Sequence, residues 1–152
     1  MLDKRNFYIN GKWIKPLKPN DFEVINPSNE EAFAIISLGL KEDTDTAVKA
    51  AKNAFDNWKE TSKEERVNLL EKLLEIYKKR SDEMAKAMSM EMGAPIDYAT
   101  SVHTSSGQSH LEDFILRLKN FKFEEHFDIK SNNHISYEPI GVCGLITPWN
   151  WP

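Results

Sequence analysis

Hydrophobic and polar positions alternate over the first forty residues, a pattern that predicts short β-strands. Two apolar runs, 7–9 and 13–14, flank Asn10-Gly11, a dipeptide that readily supplies the positive φ angles of a tight hairpin turn. Further strands are expected over 22–25 and 33–38, separated by the turn sequence Asn26-Pro27-Ser28-Asn29. The chain is therefore expected to begin with a small β-structure.

The period then changes from two to about 3.6 residues, which predicts helices. Asp43 or Thr44 is expected to cap the first of them. Ser62 and Glu65 have the spacing of a capping box at the start of the second, and a break is expected near Ser81.

Glycine and proline mark the end of this helical region and the start of the next. Gly93 followed by Pro95 predicts a helix end, and Pro95 can open another helix that runs toward Phe121. The sequence Ser105-Ser106-Gly107 weakens the middle of that last helix.

Beyond Phe121 the pattern returns to strands. Apolar residues at 121, 123 and 127, a polar turn over 130–134 and a strand over 135–138 predict an antiparallel ribbon. The continuous apolar run 142–146 is different, because it is typical of a strand covered on both faces in a parallel sheet. Such a strand needs neighbours, and we therefore expect the covalent chain to continue; the alternative is a small α+β domain whose last strand is apolar.

Composition narrows the class of protein. The chain has 152 residues, enough for one domain with a hydrophobic core, and a formal net charge of -4, which disfavours nucleic acid as a partner. The one cysteine allows no internal disulfide and fits a reducing compartment. No secretory signal and no apolar run of roughly 18 residues are visible, so no membrane partner and a cytoplasmic location are expected.

The most specific sequence is Gly141-Val142-Cys143-Gly144-Leu145-Ile146-Thr147-Pro148-Trp149-Asn150-Trp151-Pro152. It resembles the first cofactor-domain strand and following turn of the aldehyde dehydrogenase family, which usually has phenylalanine in place of Trp151. The resemblance is collinear over nearly the whole chain. It also includes the hairpin 7–13, the segments 24–27 and 50–58, Ser62 with 64–66, Glu91-Met92-Gly93-Ala94-Pro95-Ile96, and 138–141.

This resemblance implies an α/β fold: the amino-terminal part of a Rossmann-like cofactor-binding domain with a protruding antiparallel oligomerisation ribbon. Residues 1–120 would be the amino-terminal strands and helices of that domain, and 121–139 the ribbon. Residues 140–152 would be the first strand of the dinucleotide-binding sheet, incomplete here. The complete protein would form a homo-oligomer, either a dimer or a tetramer.

The resemblance also implies a reaction. A complete enzyme would oxidise an aldehyde to a carboxylic acid with NAD or NADP, through a thiohemiacetal and a thioester on a cysteine. Asn150 would donate to the oxyanion through its side-chain amide, and Ile146, Thr147, Pro148 and Trp149 would form part of the cofactor-binding wall. Without the resemblance, Asn150 reads as a turn asparagine.

The remaining catalytic groups of the family, its nucleophilic cysteine and glutamate base, would lie beyond Pro152. Cys143 is not expected to be the nucleophile, because it lies in an apolar strand where a thiol packs as a small hydrophobe. No metal site is expected, since His103, His110, His126 and His134 lack ligand spacing and are assigned to solvent or local hydrogen bonds. We therefore expect the 152-residue chain alone to be inactive. The alternative is a non-catalytic interaction protein that pairs with a full-length relative through its 121–139 ribbon.

Overall fold

The computed structural model describes residues 1–126 and 133–151. The architecture of this part of the chain is mixed α/β, as the sequence predicted. Its strands are β1 (Leu2–Asp3), β2 (Phe7–Ile9), β3 (Lys12–Ile14), β4 (Asp21–Asn26), β5 (Glu31–Ser37), β6 (Glu124–His126) and β7 (His134–Ser136). Its helices are α1 (Lys41–Trp58), α2 (Lys63–Lys79), α3 (Ser81–Met92), α4 (Ile96–Tyr98) and α5 (Ser105–Asn120), and a π-helical segment, Ala99–Thr104, joins α4 to α5.

The amino-terminal strands form the predicted hairpin and a small mixed sheet. β2 pairs antiparallel with β3 across Asn10 and Gly11, whose φ angles of 54° and 74° belong to the left-handed region that such a tight turn requires. The second sheet has the order β1-β5-β4, with β1 parallel and β4 antiparallel to β5. Both predicted hairpin partners and both later strands are therefore confirmed.

The first helix begins before its predicted cap. α1 starts at Lys41, so Asp43 is its third residue, and neither Asp43 nor Thr44 is the capping residue. The reason is that the Asp43 carboxylate reaches backwards, where Oδ2 accepts the Leu40 N–H at 2.9 Å. Its Oδ1 accepts the Leu17 N–H at 3.0 Å, which ties the loop after β3 to the start of α1.

The capping box at the start of α2 is confirmed. Ser62 Oγ accepts the Glu65 N–H at 3.1 Å, and Glu65 Oε2 accepts the Ser62 N–H at 2.7 Å. That backbone hydrogen bond is the main reason that the pKa of the Glu65 carboxyl lies below its ordinary value. The predicted break between α2 and α3 is also present, at Arg80 with φ −110° and ψ 12°.

Gly93 ends α3 as the sequence predicted. It has φ 76°, the left-handed conformation that glycine adopts at low cost. A Cβ at this position would lie 2.9 Å from Pro27 Cγ, so the absence of a side chain also permits close contact with the β4–β5 turn. Next to it, Ala85, Met88, Ala94 and Ala99 form a buried core with Met92 packed against them.

The last helix is irregular at a different place from the one predicted. The irregularity is the π-helical segment 99–104, whereas Ser105, Ser106 and Gly107 belong to the regular helix α5. The physical reason lies in the hydroxyls, because side chains of this type compete for backbone carbonyls in a helix. Four of them donate to the carbonyl four residues earlier: Thr100, Ser101, Thr104 and Ser105.

α5 packs directly on α2. Tyr77 Oη of α2 donates to the Thr104 carbonyl at 3.0 Å, and two ion pairs, Lys78–Glu112 and Lys119–Glu71, join the same two helices. Gly107 allows this approach, since a Cβ there would lie 2.4 Å from Tyr77 Oη.

The predicted antiparallel pairing after α5 is present. β6 and β7 pair with the register Glu124↔Ser136 and His126↔His134. Between the end of α5 and the start of β6, two side chains of α2 contact the chain. Lys63 Nζ donates to the Lys119 carbonyl at 3.0 Å, and the Arg66 guanidinium lies over the Phe123 ring. The expected apolar residue Phe127 and residues 130–132 of the expected turn lie outside the described residues.

The predicted strand over 142–146 does not form within this part of the chain. No described strand pairs with it, and it belongs to none of the three sheets. A strand gains its backbone hydrogen bonds from neighbouring strands, so an apolar run without such neighbours forms no strand.

None of the helices in the described residues could span a membrane.

Candidate functional site

The sequence that carries the resemblance ends in a turn. The Trp151 N–H donates to the Pro148 carbonyl at 3.4 Å, which places Trp149 and Asn150 at the two central positions. Asparagine is favoured in such turns because its short polar side chain tolerates their backbone angles. The local sequence therefore explains the turn, and the turn fixes the position of the Asn150 backbone from which the side-chain amide extends.

The candidate residues around this turn are open to contact. Ile146 is 98% exposed and Trp149 85% exposed, and Thr147, Pro148 and Asn150 are exposed as well. Within the described residues, the Asn150 side chain makes no hydrogen bond. Its two N–H groups are thus available to a ligand, and the segment 146–149 next to it presents both backbone and apolar side chains.

Cys143 is exposed in the described part of the chain, and the expectation that its thiol packs as a small hydrophobe stays a prediction for the longer protein. The reason for the exposure is the missing strand, since no neighbouring strand covers the face that Cys143 would occupy. Its Sγ lies 3.8 Å from the Gly141 carbonyl oxygen. No His⁺, Lys or Arg contact of the kind that activates a thiolate is recorded for this residue in the described part of the chain.

The turn contacts the helical body through Trp151. The Trp151 indole and the His103 imidazole meet at a centroid distance of 4.6 Å with an interplanar angle of 65°. His103 also meets the Tyr98 ring, at a centroid distance of 5.0 Å and an interplanar angle of 83°. The structure therefore brings the π-helical segment and the turn that bears Asn150 into direct contact.

His103 was missed by the sequence, which assigned all four histidines to solvent or local hydrogen bonds. His103 is 6% exposed, and its Nδ1 has no hydrogen-bond partner among the described residues. The hydroxyl-rich run 100–105 is the signal that could have found it, because it marks a helix whose regular register is disturbed.

The described ranges 1–126 and 133–151 contain no group of three or more histidine, cysteine, aspartate or glutamate side chains that could hold a metal ion. The chemical character of the site is that of a neutral hydrogen-bond donor beside an exposed apolar segment.

Comparison with known proteins finds similar dehydrogenases. One curated relative is a 3-succinoylsemialdehyde-pyridine dehydrogenase from a Pseudomonas species, 44% identical over 153 residues that cover 100% of this chain and 31% of the relative. A crystal structure of an aldehyde dehydrogenase from Bartonella henselae has a TM-score of 0.85 and 54% identity, covering 87% of this chain and 28% of that one.

A second solved structure agrees more closely in shape. Aldehyde dehydrogenase C from Pseudomonas syringae, a mutant in complex with NAD+ and octanal, has a TM-score of 0.93 and 39% identity, covering 97% of this chain and 30% of that one. The chain thus spans about 30% of the length of these relatives. The family model described as "Aldehyde dehydrogenase family" matches residues 13–152, and the chain belongs to that family.

Proposed function

We propose that this chain is the amino-terminal part of a longer enzyme that oxidises an aldehyde to a carboxylic acid with NAD or NADP. The observation that carries the proposal is the turn 148–151, in which the Asn150 amide is exposed and makes no hydrogen bond within the described residues. Membership of the family supplies the reaction class, and the relatives' length supports a longer chain.

Asn150 is proposed as the donor to the oxyanion that develops when a nucleophile attacks the aldehyde carbonyl. An amide N–H is a neutral donor, so it stabilises negative charge without depending on its own ionisation. The turn holds the backbone on both sides of Asn150, which reduces the reorganisation needed when charge develops. The nucleophilic cysteine and the glutamate base are proposed to come from polypeptide beyond Pro152.

The residues Ile146, Thr147, Pro148 and Trp149 are proposed to contribute to the cofactor-binding wall. Their exposure fits that role, because an exposed apolar run beside a turn can pack against a flat ring and a ribose. When bound, the nicotinamide cofactor would accept the hydride that the aldehyde carbon gives up. NAD is favoured over NADP, because the structure from Pseudomonas syringae contains NAD+, as does that of betaine aldehyde dehydrogenase from Staphylococcus aureus, at a TM-score of 0.88 and 27% identity.

The surface of the chain supports the proposed domain arrangement. Its accessible surface is 12,058 Å², whereas a compact monomer of its mass is expected to expose roughly 7,900 Å². The excess includes Ile140, Leu145 and Ile146, each about nine-tenths exposed or more. We propose that residues 140–152 form the first strand of a dinucleotide-binding sheet, completed by further polypeptide that covers these side chains.

The ribbon β6–β7 and its flanks, 121–139, are proposed to serve oligomerisation, and residues 1–120 to belong to the cofactor domain. The ribbon is two strands wide, and every described residue of β6 and β7 is exposed. A ribbon of this kind can add to the sheet of a second subunit. A cytoplasmic homo-oligomer, dimer or tetramer, is the assembly that we propose.

The test of this function is Asn150→Ala in the complete enzyme. We expect aldehyde oxidation to fall by about two to three orders of magnitude in kcat, as loss of one oxyanion donor does. Steady-state turnover of a short aliphatic aldehyde such as propanal measures it. Asn68→Ala, at an exposed position of α2, is the matched control and should leave turnover unchanged. Equal turnover in the two variants would remove Asn150 from the mechanism.

A further inference from the structure

The position of His103 has three features that its assignment as an ordinary helix residue does not explain. It lies in the π-helical segment, a geometry that is rare and occurs often near functional sites. Its side chain is 6% exposed although histidine is a residue of intermediate burial. Finally, its Nδ1 has no hydrogen-bond partner among the described residues.

The ring contacts of His103 explain its orientation. The imidazole makes T-shaped contacts with Tyr98, at a centroid distance of 5.0 Å, and with Trp151, at 4.6 Å. Both arrangements lie in the range of centroid distances and angles at which aromatic pairs attract each other. Since Nδ1 contributes no described hydrogen bond, the ring faces and edges are what join His103 to its neighbours.

The contact with Trp151 reaches the Asn150 turn directly. Trp151 follows Asn150 in the chain, and its N–H closes the turn on the Pro148 carbonyl. The other apolar residues of this segment, Ile146 and Trp149, have no comparable support, because they are almost fully exposed. Fixing the Trp151 indole against the helix therefore restricts the peptide that carries Asn150.

We propose that His103 is a positioning residue for Asn150 and acts through the Trp151 ring; this rests on the oxyanion role proposed for Asn150. The π-helical segment supplies the scaffold, since it holds His103 buried and in contact with Trp151. Preorganised donors are effective only when the groups behind them are fixed, and a rigid helix is better suited to this than a loop.

The experiment is a double-mutant cycle in the complete enzyme with His103→Ala, Trp151→Ala and the two combined. We expect each single change to lower kcat about tenfold with little change in the KM for aldehyde, because a small misplacement of a catalytic group lowers the rate of the chemical step. The combined variant should be no slower than either single one, since both changes break the same contact. His110→Ala, at an exposed position of α5, is the control and should keep the parent kcat.

His103→Phe separates the ring from its nitrogen. Phenylalanine keeps an aromatic edge for Trp151, so we expect this variant to restore kcat to within about twofold of the parent enzyme. A phenylalanine variant as slow as His103→Ala would overturn the proposal, because the nitrogen would then be the essential group. Losses of kcat that multiply in the combined variant would overturn it as well.

A readout without turnover keeps this proposal distinct from the proposed function. Melting temperatures of the same variants report the His103–Trp151 contact, and the shifts should be less than additive. If the parent enzyme oxidises no aldehyde, the proposed function fails, and additive melting shifts would separately overturn the contact. If Asn150→Ala is slow but the cycle is additive in kcat, the function stands and the positioning role is wrong.

Discussion

Asp43 connects two parts of the chain with one buried carboxylate. The residue is 6% exposed. Its two oxygens accept the N–H groups of Leu17 and Leu40, at 3.0 Å and 2.9 Å, so the loop after β3 and the first turn of α1 share one acceptor. Hydrogen bonds to a charged group stabilise more than neutral ones, and a buried N–H without a partner is costly.

We expect Asp43→Ala to lower the free energy of unfolding by about 1–3 kcal/mol, because the change leaves two backbone N–H groups without their acceptor. Urea denaturation followed by far-ultraviolet circular dichroism measures it. Asp45→Ala is the matched control, since Asp45 is an exposed residue of the same helix whose partner is Lys41. Equal, small effects of the two changes would show that the Asp43 hydrogen bonds do not stabilise the fold.

Much of the residue-scale detail could be predicted because it depends on neighbouring residues in the sequence. The hairpin turn at Asn10-Gly11, the Ser62–Glu65 box and the left-handed Gly93 all follow from local backbone chemistry. The role of Asp43 could not be predicted in full, because its second partner is Leu17, far away in the sequence. His103 was missed for the same reason, since its neighbour Trp151 is even more distant.

At the scale of elements, the contact between α2 and α5 depends on a missing side chain. Tyr77 Oη donates to the carbonyl of Thr104, the last residue of the π-helical segment. Burial raises the pKa of the Tyr77 hydroxyl above its ordinary value. Gly107 lies opposite that hydroxyl, and its lack of a side chain leaves room for the hydroxyl and its hydrogen bond.

We expect Gly107→Ala to destabilise the protein although alanine is the better helix former by about 1 kcal/mol. The added Cβ would lie 2.4 Å from Tyr77 Oη and 3.1 Å from Cζ, so the ring must move and its hydrogen bond to Thr104 is lost. The melting temperature measures the effect.

Tyr77→Phe combined with Gly107→Ala tests the cause of this destabilisation. Removal of the hydroxyl takes away the closest contact, so the double variant should melt at a higher temperature than Gly107→Ala alone. A double variant that melts at a still lower temperature would show that the clash with Tyr77 is not the reason.

Elements differ in how far the sequence predicts them. Strands and helices with a partner inside the chain were predicted at close to their observed bounds, because periodicity reports burial against that partner. The run 142–146 has the composition of a buried strand, but it pairs with no described strand. Its sequence therefore reports surroundings that this part of the chain does not supply.

At the scale of the whole molecule, the outstanding property is exposed apolar surface. Ile140, Leu145, Ile146 and Trp149 lie close together in sequence and are each at least 85% exposed. Large apolar side chains exposed in this number favour association in water.

We expect the isolated 152-residue chain to self-associate, to bind a hydrophobic dye such as ANS, and to oxidise no aldehyde. Size-exclusion chromatography with light scattering measures the association. Leu145→Lys with Ile146→Lys should increase the monomeric fraction, whereas Asn53→Lys, at an exposed position of α1, should not. A monodisperse, dye-free monomer of the unmodified chain would contradict this expectation.

The π-helical segment limits how the length of this region can vary. One residue of an α-helix turns the chain by about 100°. Ala99 and His103 face inward within the segment, and Thr104, its last residue, and Ile115 of α5 continue the inward face one position later, so the segment takes up one extra residue. Loss of a single codon within 99–104 would restore an ordinary helix and keep the inward face of α5 toward α2, whereas one further inserted residue would rotate α5 by about 100°. A deletion of one residue within 99–104 should therefore be tolerated better than an insertion of one residue.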